Sequence, residues 1–154
     1  MNKGEAKNVS SLFKEILFDL PYYNEVAIKS ELKKYTTSCL IKKIQNDPFS
    51  VLVLTESSEI IGFCFNKFDD YLIWIEWYGV KKEYRHNGLS KMLLHELERS
   101  ASARQCHKLW CDCRTTNEMS KRTLISNGFL PMGTFSNHWY SLDFIIWEKL
   151  ISNV

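Results

Sequence analysis

Neither of the two glycine strings that mark the best-known nucleotide-binding turns occurs in this chain. There is no Gly-x-Gly-x-x-Gly run and no Walker-type loop ending in Gly-Lys-Ser/Thr, which argues against a dinucleotide fingerprint and a P-loop. Glycine and proline are scarce, six and three among 154 residues, and they form no tract that would mark a linker. With no internal repeat either, residues 1–154 are expected to form one domain, and 45% hydrophobic residues can supply its core. Charge is nearly balanced: a formal +2 is too small for a nucleic-acid footprint, and Lys29, Lys33, Lys34, Lys42 and Lys43 read as a solvated helix face. No apolar run approaches the roughly 20 residues that cross a bilayer, and Met1 to Glu5 lacks the apolar core of a signal peptide. No membrane association and a cytoplasmic location are therefore expected. The five cysteines, Cys39, Cys64, Cys106, Cys111 and Cys113, are an odd number, which favours reduced thiols. Cys111-Asp112-Cys113 has no second ligand pair at a zinc-type spacing, so no metal is expected. A cysteine nucleophile paired with His107 or His138 would lack a third, orienting group.

What is present is concentrated between Tyr71 and Arg104. Leu72, Ile73, Trp74, Ile75, Trp77, Tyr78 and Val80 form an apolar, aromatic strand that runs into Arg85-His86-Asn87-Gly88-Leu89-Ser90. A helix follows at once, its apolar stripe given by Leu89, Met92, Leu93, Leu97 and Ala101. A strand, a tight turn and a helix N-terminus expose backbone N–H groups beside the positive end of a helix dipole, and Gly88 lets a ligand come close. The segment reads as a pyrophosphate cradle.

The remainder supplies the frame. Val9 to Leu20 is expected to be a helix capped by Ser10 or Ser11 and ended by Pro21, and Asn24 to Gln45 one or two more. Val51–Thr55 and Ile60–Phe65 predict a hairpin, Lys108–Cys113 a strand, Asn117–Ser126 a helix closed by Asn127-Gly128, and Phe129–Leu150 a final hairpin. The order implies an α/β (mixed α+β) fold, a mixed, mostly antiparallel sheet with helices on both faces.

Arg85-x-x-Gly88-x-Ser90, five residues after the strand-ending Val80, resembles the signature of the GNAT superfamily of N-acetyltransferases. Asn117-Glu118-Met119-Ser120 through Gly128-Phe129 resembles the family's second block, in the same order along the chain. The resemblance implies the GNAT fold over nearly the whole chain, although Gly4 to Asn8 is a poor candidate for the strand with which the family usually opens. It implies acetyl-CoA as co-substrate and direct attack by an amine. Pantetheine contacts would fall to the backbone of Tyr78, Gly79 and Val80 and to Asn117. The pyrophosphate would fall to Arg85, His86, Asn87, Gly88, Leu89, Ser90 and Lys91, Arg85 mattering mainly by its position.

Glu76 is the most conspicuous charge, standing alone in Ile73–Tyr78, where an unpaired carboxylate would be costly. Strand alternation places it with Trp74, Tyr78 and Val80, and the resemblance makes it the candidate base. A carboxylate paired with a structural Lys or Arg is the competing reading. The family's acid is often a Tyr seven residues after the Asn of the second block, where this chain has Leu124. Tyr140 and Tyr78 are the candidate replacements, and solvent is another. The expected partner is a small-molecule amine, with aromatic walls such as Trp77 and Trp139 suited to a cation. A non-catalytic acyl-CoA-binding module and a protein or peptide acetyltransferase are the alternatives. Because many members of the family dimerise, the C-terminal hairpin is the candidate contact for a homodimer.

Overall fold

The computed structural model describes residues 1–151. Asn2 and Glu5 exchange side-chain and backbone hydrogen bonds in a capping box, and a 3-10 turn over Lys3–Glu5 leads into helix α1, Ala6–Phe18. The expected start at Val9 is thus corrected. Asn-x-x-Glu is the capping signal, and the Ser10 hydroxyl instead donates to the Tyr35 carbonyl at 2.8 Å. Gly4–Asn8 is helical rather than extended, and the first strand begins at Val51. Helices α2, Glu25–Lys34, and α3, Thr37–Asn46, are capped by the side chains of Asn24 and Thr36.

The strands are β1 Val51–Glu56, β2 Glu59–Asp69, β3 Leu72–Val80, β4 Lys108–Arg114, β5 Leu130–Phe135 and β6 Phe144–Leu150, in the order β1-β2-β3-β4-β6-β5. Every adjacent pair is antiparallel except β3 and β4. Helix α4, Leu89–Ala103, makes the crossover that this parallel pair requires, and α5, Glu118–Ser126, links β4 to β5. This is the mixed, mostly antiparallel sheet implied by the sequence.

Helices cover both faces. Phe13, Leu17, Leu40, Phe63 and Phe65 form one core beneath α1 and α3; Ile73, Ile75, Leu93, Leu97, Leu109 and Leu124 form the other beneath α4 and α5. The buried stripe of α4 is Leu93, Leu94, Leu97 and Ala101, with Met92 turned to solvent.

Strand β3 carries two irregularities. Phe65 faces Trp77 across the β2–β3 ladder, but the next residue, Asn66, faces Ile75, so Glu76 is the extra residue of a β-bulge. The bulge interrupts the period of two. Trp77 packs with the α1–α3 core while Tyr78 and Val80 pack with the α4 core, and Glu76 reaches Lys43 on α3. The expectation that Glu76 shares a face with Tyr78 and Val80 is therefore corrected. The second irregularity is that β3 and β4 pair only from Leu72–Lys108 to Ile75–Cys111. Beyond that register both strands continue, apart.

Candidate functional site

The separation of β3 and β4 opens a cleft of about 660 Å³ lined by Glu76–Val80 on one side and Cys111–Arg114 on the other. One end meets the turn before α4. There His86 and Gly88 have φ of 67° and 74°, a left-handed conformation that glycine adopts at no steric cost and β-branched residues do not. A Cβ on Gly88 would meet nothing within 4 Å, so the approach to the backbone is open. The first hydrogen bond of α4 runs from the Met92 N–H to the Gly88 carbonyl, which leaves the N–H groups of Leu89, Ser90 and Lys91 without an acceptor inside the helix. They make the positive end of a 15-residue helix.

Arg85 is committed elsewhere. Its Nε donates to the Val80 carbonyl at 3.0 Å and its Nη1 to Asp19 Oδ2 at 2.9 Å. The side chain ties the turn to the end of β3 and to the C-terminal end of α1. Asn117 caps α5 by accepting from the Ser120 N–H at 3.0 Å and also lines the cleft. Across the gap the Tyr78 hydroxyl and Ser120 Oγ are 2.6 Å apart. Burial pushes the Tyr78 phenol above its ordinary value. Leu124 is fully buried in the α4 core.

The other end of the cleft is a chamber with aromatic walls, Tyr23, Tyr35, Trp77, Trp139 and Tyr140, and three carboxylates, Glu31, Glu76 and Asp112. Buried Glu31 accepts from Trp77 Nε1 at 2.9 Å, Lys34 Nζ at 2.7 Å and the Tyr140 hydroxyl at 2.6 Å. The Tyr140 hydroxyl, its proton given to Glu31, can accept from Ser30 Oγ at 3.0 Å, and the Tyr140 carbonyl accepts from Asn24 Nδ2 at 2.9 Å. The connection between β5 and β6 is thereby pinned to α2 across the chamber. Glu76 is held by Lys43 Nζ at 2.7 Å.

Asp112 has neither a hydrogen-bond nor an ion-pair partner among the described residues. Desolvation, reinforced by the Glu31 carboxylate and opposed by Lys34, pushes its carboxyl up to about 7. Between the ordinary value of 3.8 and about 7, the folded chain holds a proton that the unfolded chain releases. Stability should therefore fall as pH rises through that window. Denaturant titrations from pH 4 to 8 should show this slope in the native protein and lose it in Asp112→Asn.

Of the residues expected from sequence, the cleft lining includes Glu76, Tyr78, Gly79, Val80, Arg85, Ser90, Asn117 and Tyr140. His86, Asn87, Gly88 and Lys91 stand exposed at the rim and Leu89 is half-buried. Sequence reasoning misses Glu31 and Asp112. Glu31 stands among Lys29, Lys33 and Lys34 and resembles a surface charge. Asp112 lies between two apolar-looking cysteines, and strand alternation would have turned it away from them, toward the chamber.

A family model described as "Acetyltransferase (GNAT) family" matches residues 13–129. The fold superposes on a PaiA N-acetyltransferase of Thermoplasma acidophilum in complex with coenzyme A with a TM-score of 0.83, at 20% identity, covering 97% of this chain and 95% of that one. An N-acetyltransferase of Staphylococcus aureus Mu50 gives a TM-score of 0.80 at 19% identity over 99% and 96% of the two chains. An acetyltransferase of Pectobacterium atrosepticum is 29% identical over 77 residues, 50% of this chain and 55% of that protein. The chain thus matches about half the length of its curated relatives.

Proposed function

Since the chain belongs to the GNAT acetyltransferase family, we propose that it transfers the acetyl group of acetyl-CoA to a primary amine of a small molecule by direct attack. The end of β3–β4 pairing beside the N-terminus of α4 carries this reading. Tyr78, Gly79 and Val80 present a strand edge that β4 has left, suited to the amides of a pantetheine arm as an added strand would be. The N–H groups from Asn87 to Lys91 receive the pyrophosphate, with His86 shaping the turn and Arg85 fixing its position.

The chamber receives the amine. Carboxylates neutralise its charge and aromatic faces favour a cation, and the pinned segment around Tyr140 encloses it, which suits a small molecule better than an extended peptide. Proton removal falls to a carboxylate of the chamber, the residue named by family position being Glu76. Among the hydroxyls that line the cleft, Tyr78 and Tyr140 are the candidates to return a proton to the departing thiolate. Buried Leu124 in the place of a helix tyrosine favours a second reading, a module that binds acyl-CoA without turnover. Thiol release from acetyl-CoA across a panel of amines, with mass spectrometry of the products, separates the two. Acetylated amine supports the enzyme, and tight binding without product supports the module.

Asn117 has two duties in this proposal. Asn117→Ala should cost about 1 kcal/mol of stability through loss of the cap, and should weaken CoA binding by a further roughly 1–2 kcal/mol. Calorimetry showing reduced stability with unchanged affinity would reduce Asn117 to a cap.

A further inference from the structure

We infer that Asp112 is the group that takes the proton from the acceptor amine, a role that rests on the acetyl-transfer reading above and replaces Glu76 in it. Asp112 occupies the first β4 position past Ile75–Cys111, where pairing with β3 stops. It therefore stands at the apex of the cleft, where an acyl group at the tip of the pantetheine arm would meet an amine entering from the chamber. Cys111 and Cys113 on either side are buried in the α4 core, so alternation turns the Asp112 side chain to the opposite face, among the groups of the chamber.

The three chamber carboxylates differ in what already binds them. Glu31 accepts three hydrogen bonds, from Trp77, Lys34 and Tyr140. Glu76 is ion-paired with Lys43, whose ammonium already occupies the place an incoming cation would take. Asp112 keeps its oxygens free of any partner among the described residues, so an ammonium ion can bind it directly. The groups acting on it are Glu31 and Lys34 of α2, Tyr23 before α2, and the thiols of Cys111 and Cys113 on its own strand. Burial and Glu31 together favour the protonated form, and a base near neutrality is the kind that general catalysis uses.

The step balances without further reactants. Asp112 takes one proton from the bound ammonium, and the freed amine attacks the thioester carbonyl. A C–N bond forms as the C–S bond breaks, and the second N–H proton leaves with the thiolate as a thiol. The Asp112 proton returns to solvent.

The test compares native protein, Asp112→Asn, Asp112→Glu and Glu76→Gln in steady-state acetylation across pH, together with NMR titration of carboxyl-labelled aspartate. Asp112→Asn should lower kcat by roughly 10²–10⁴-fold with little change in CoA affinity, and should remove the fall in rate below about pH 7. Asp112→Glu should recover part of the rate. Glu76→Gln should keep the acidic limb. A carboxyl resonance titrating near neutrality should vanish in Asp112→Asn. Loss of the limb in Glu76→Gln but not in Asp112→Asn, or an Asp112 resonance titrating in the ordinary acidic range, overturns the inference. If the native protein acetylates no amine, acetyl transfer itself fails, and the NMR titration still decides whether Asp112 has the required proton affinity.

Discussion

Gly88→Val is expected to abolish measurable CoA binding in a protein that still folds. Two separable effects contribute. A Cβ at this position projects into space free of protein atoms within 4 Å, which is the space a pyrophosphate needs to reach the N–H groups at the start of α4. A φ of 74° also strains a β-branched residue by about 1–2 kcal/mol, so the turn itself would shift and lose stability. Gly88→Asn distinguishes them, because asparagine tolerates the left-handed region yet places a side chain over the same N–H groups. Both variants should lose CoA binding in calorimetry while only the valine loses much stability. Unchanged affinity in folded Gly88→Asn would remove the turn from the binding site.

The second large effect concerns stability. Phe13 is almost fully buried, with ring centroids at 4.8 Å from Tyr35, 5.3 Å from Trp77, 5.6 Å from Phe65 and 5.9 Å from Phe63. It ties α1 to β2 and β3 and supports Trp77, whose indole nitrogen donates to Glu31. Phe13→Ala should cost about 3–5 kcal/mol, a large share of the roughly 5–15 kcal/mol that a domain has. Chemical denaturation checks the figure. The variant should also bind amines less well, since the wall that orders Glu31 has lost its backing. A loss below about 1 kcal/mol would mean that the neighbouring rings close the space.

These two residues also mark what the sequence could and could not reveal. Gly88 was legible because turn, glycine and helix start are consecutive, and the backbone groups that make the cradle need no distant partner. Most elements were legible for the same reason: the apolar runs of β2 and β3, period 3.6 in α4, and the Asn at the start of α5. The chamber was not, because it assembles α2, the bulge of β3, the far end of β4 and the β5–β6 connection. The bulge at Glu76 is a property of the β2–β3 ladder. Strand alternation carried the wrong face across it, and the Lys43 partner lies on α3, far back along the chain. Asp112 shows the same limit, since its lack of a partner is a fact of three dimensions. The start of α1 failed on a local signal instead, Asn2 with Glu5, which lies upstream of the serines expected to cap it.

The central claim is that the cleft opened between β3 and β4, together with the start of α4, is the seat of acetyl-CoA. Titrating the isotopically labelled protein with CoA and following its backbone amides tests this most directly. The account predicts the largest shifts, saturating together, at Asn87 to Lys91 for the pyrophosphate and at Tyr78, Gly79 and Val80 for the pantetheine arm. Shifts that saturate elsewhere while these amides stay still, or none at CoA concentrations that saturate enzymes of this family, would contradict it.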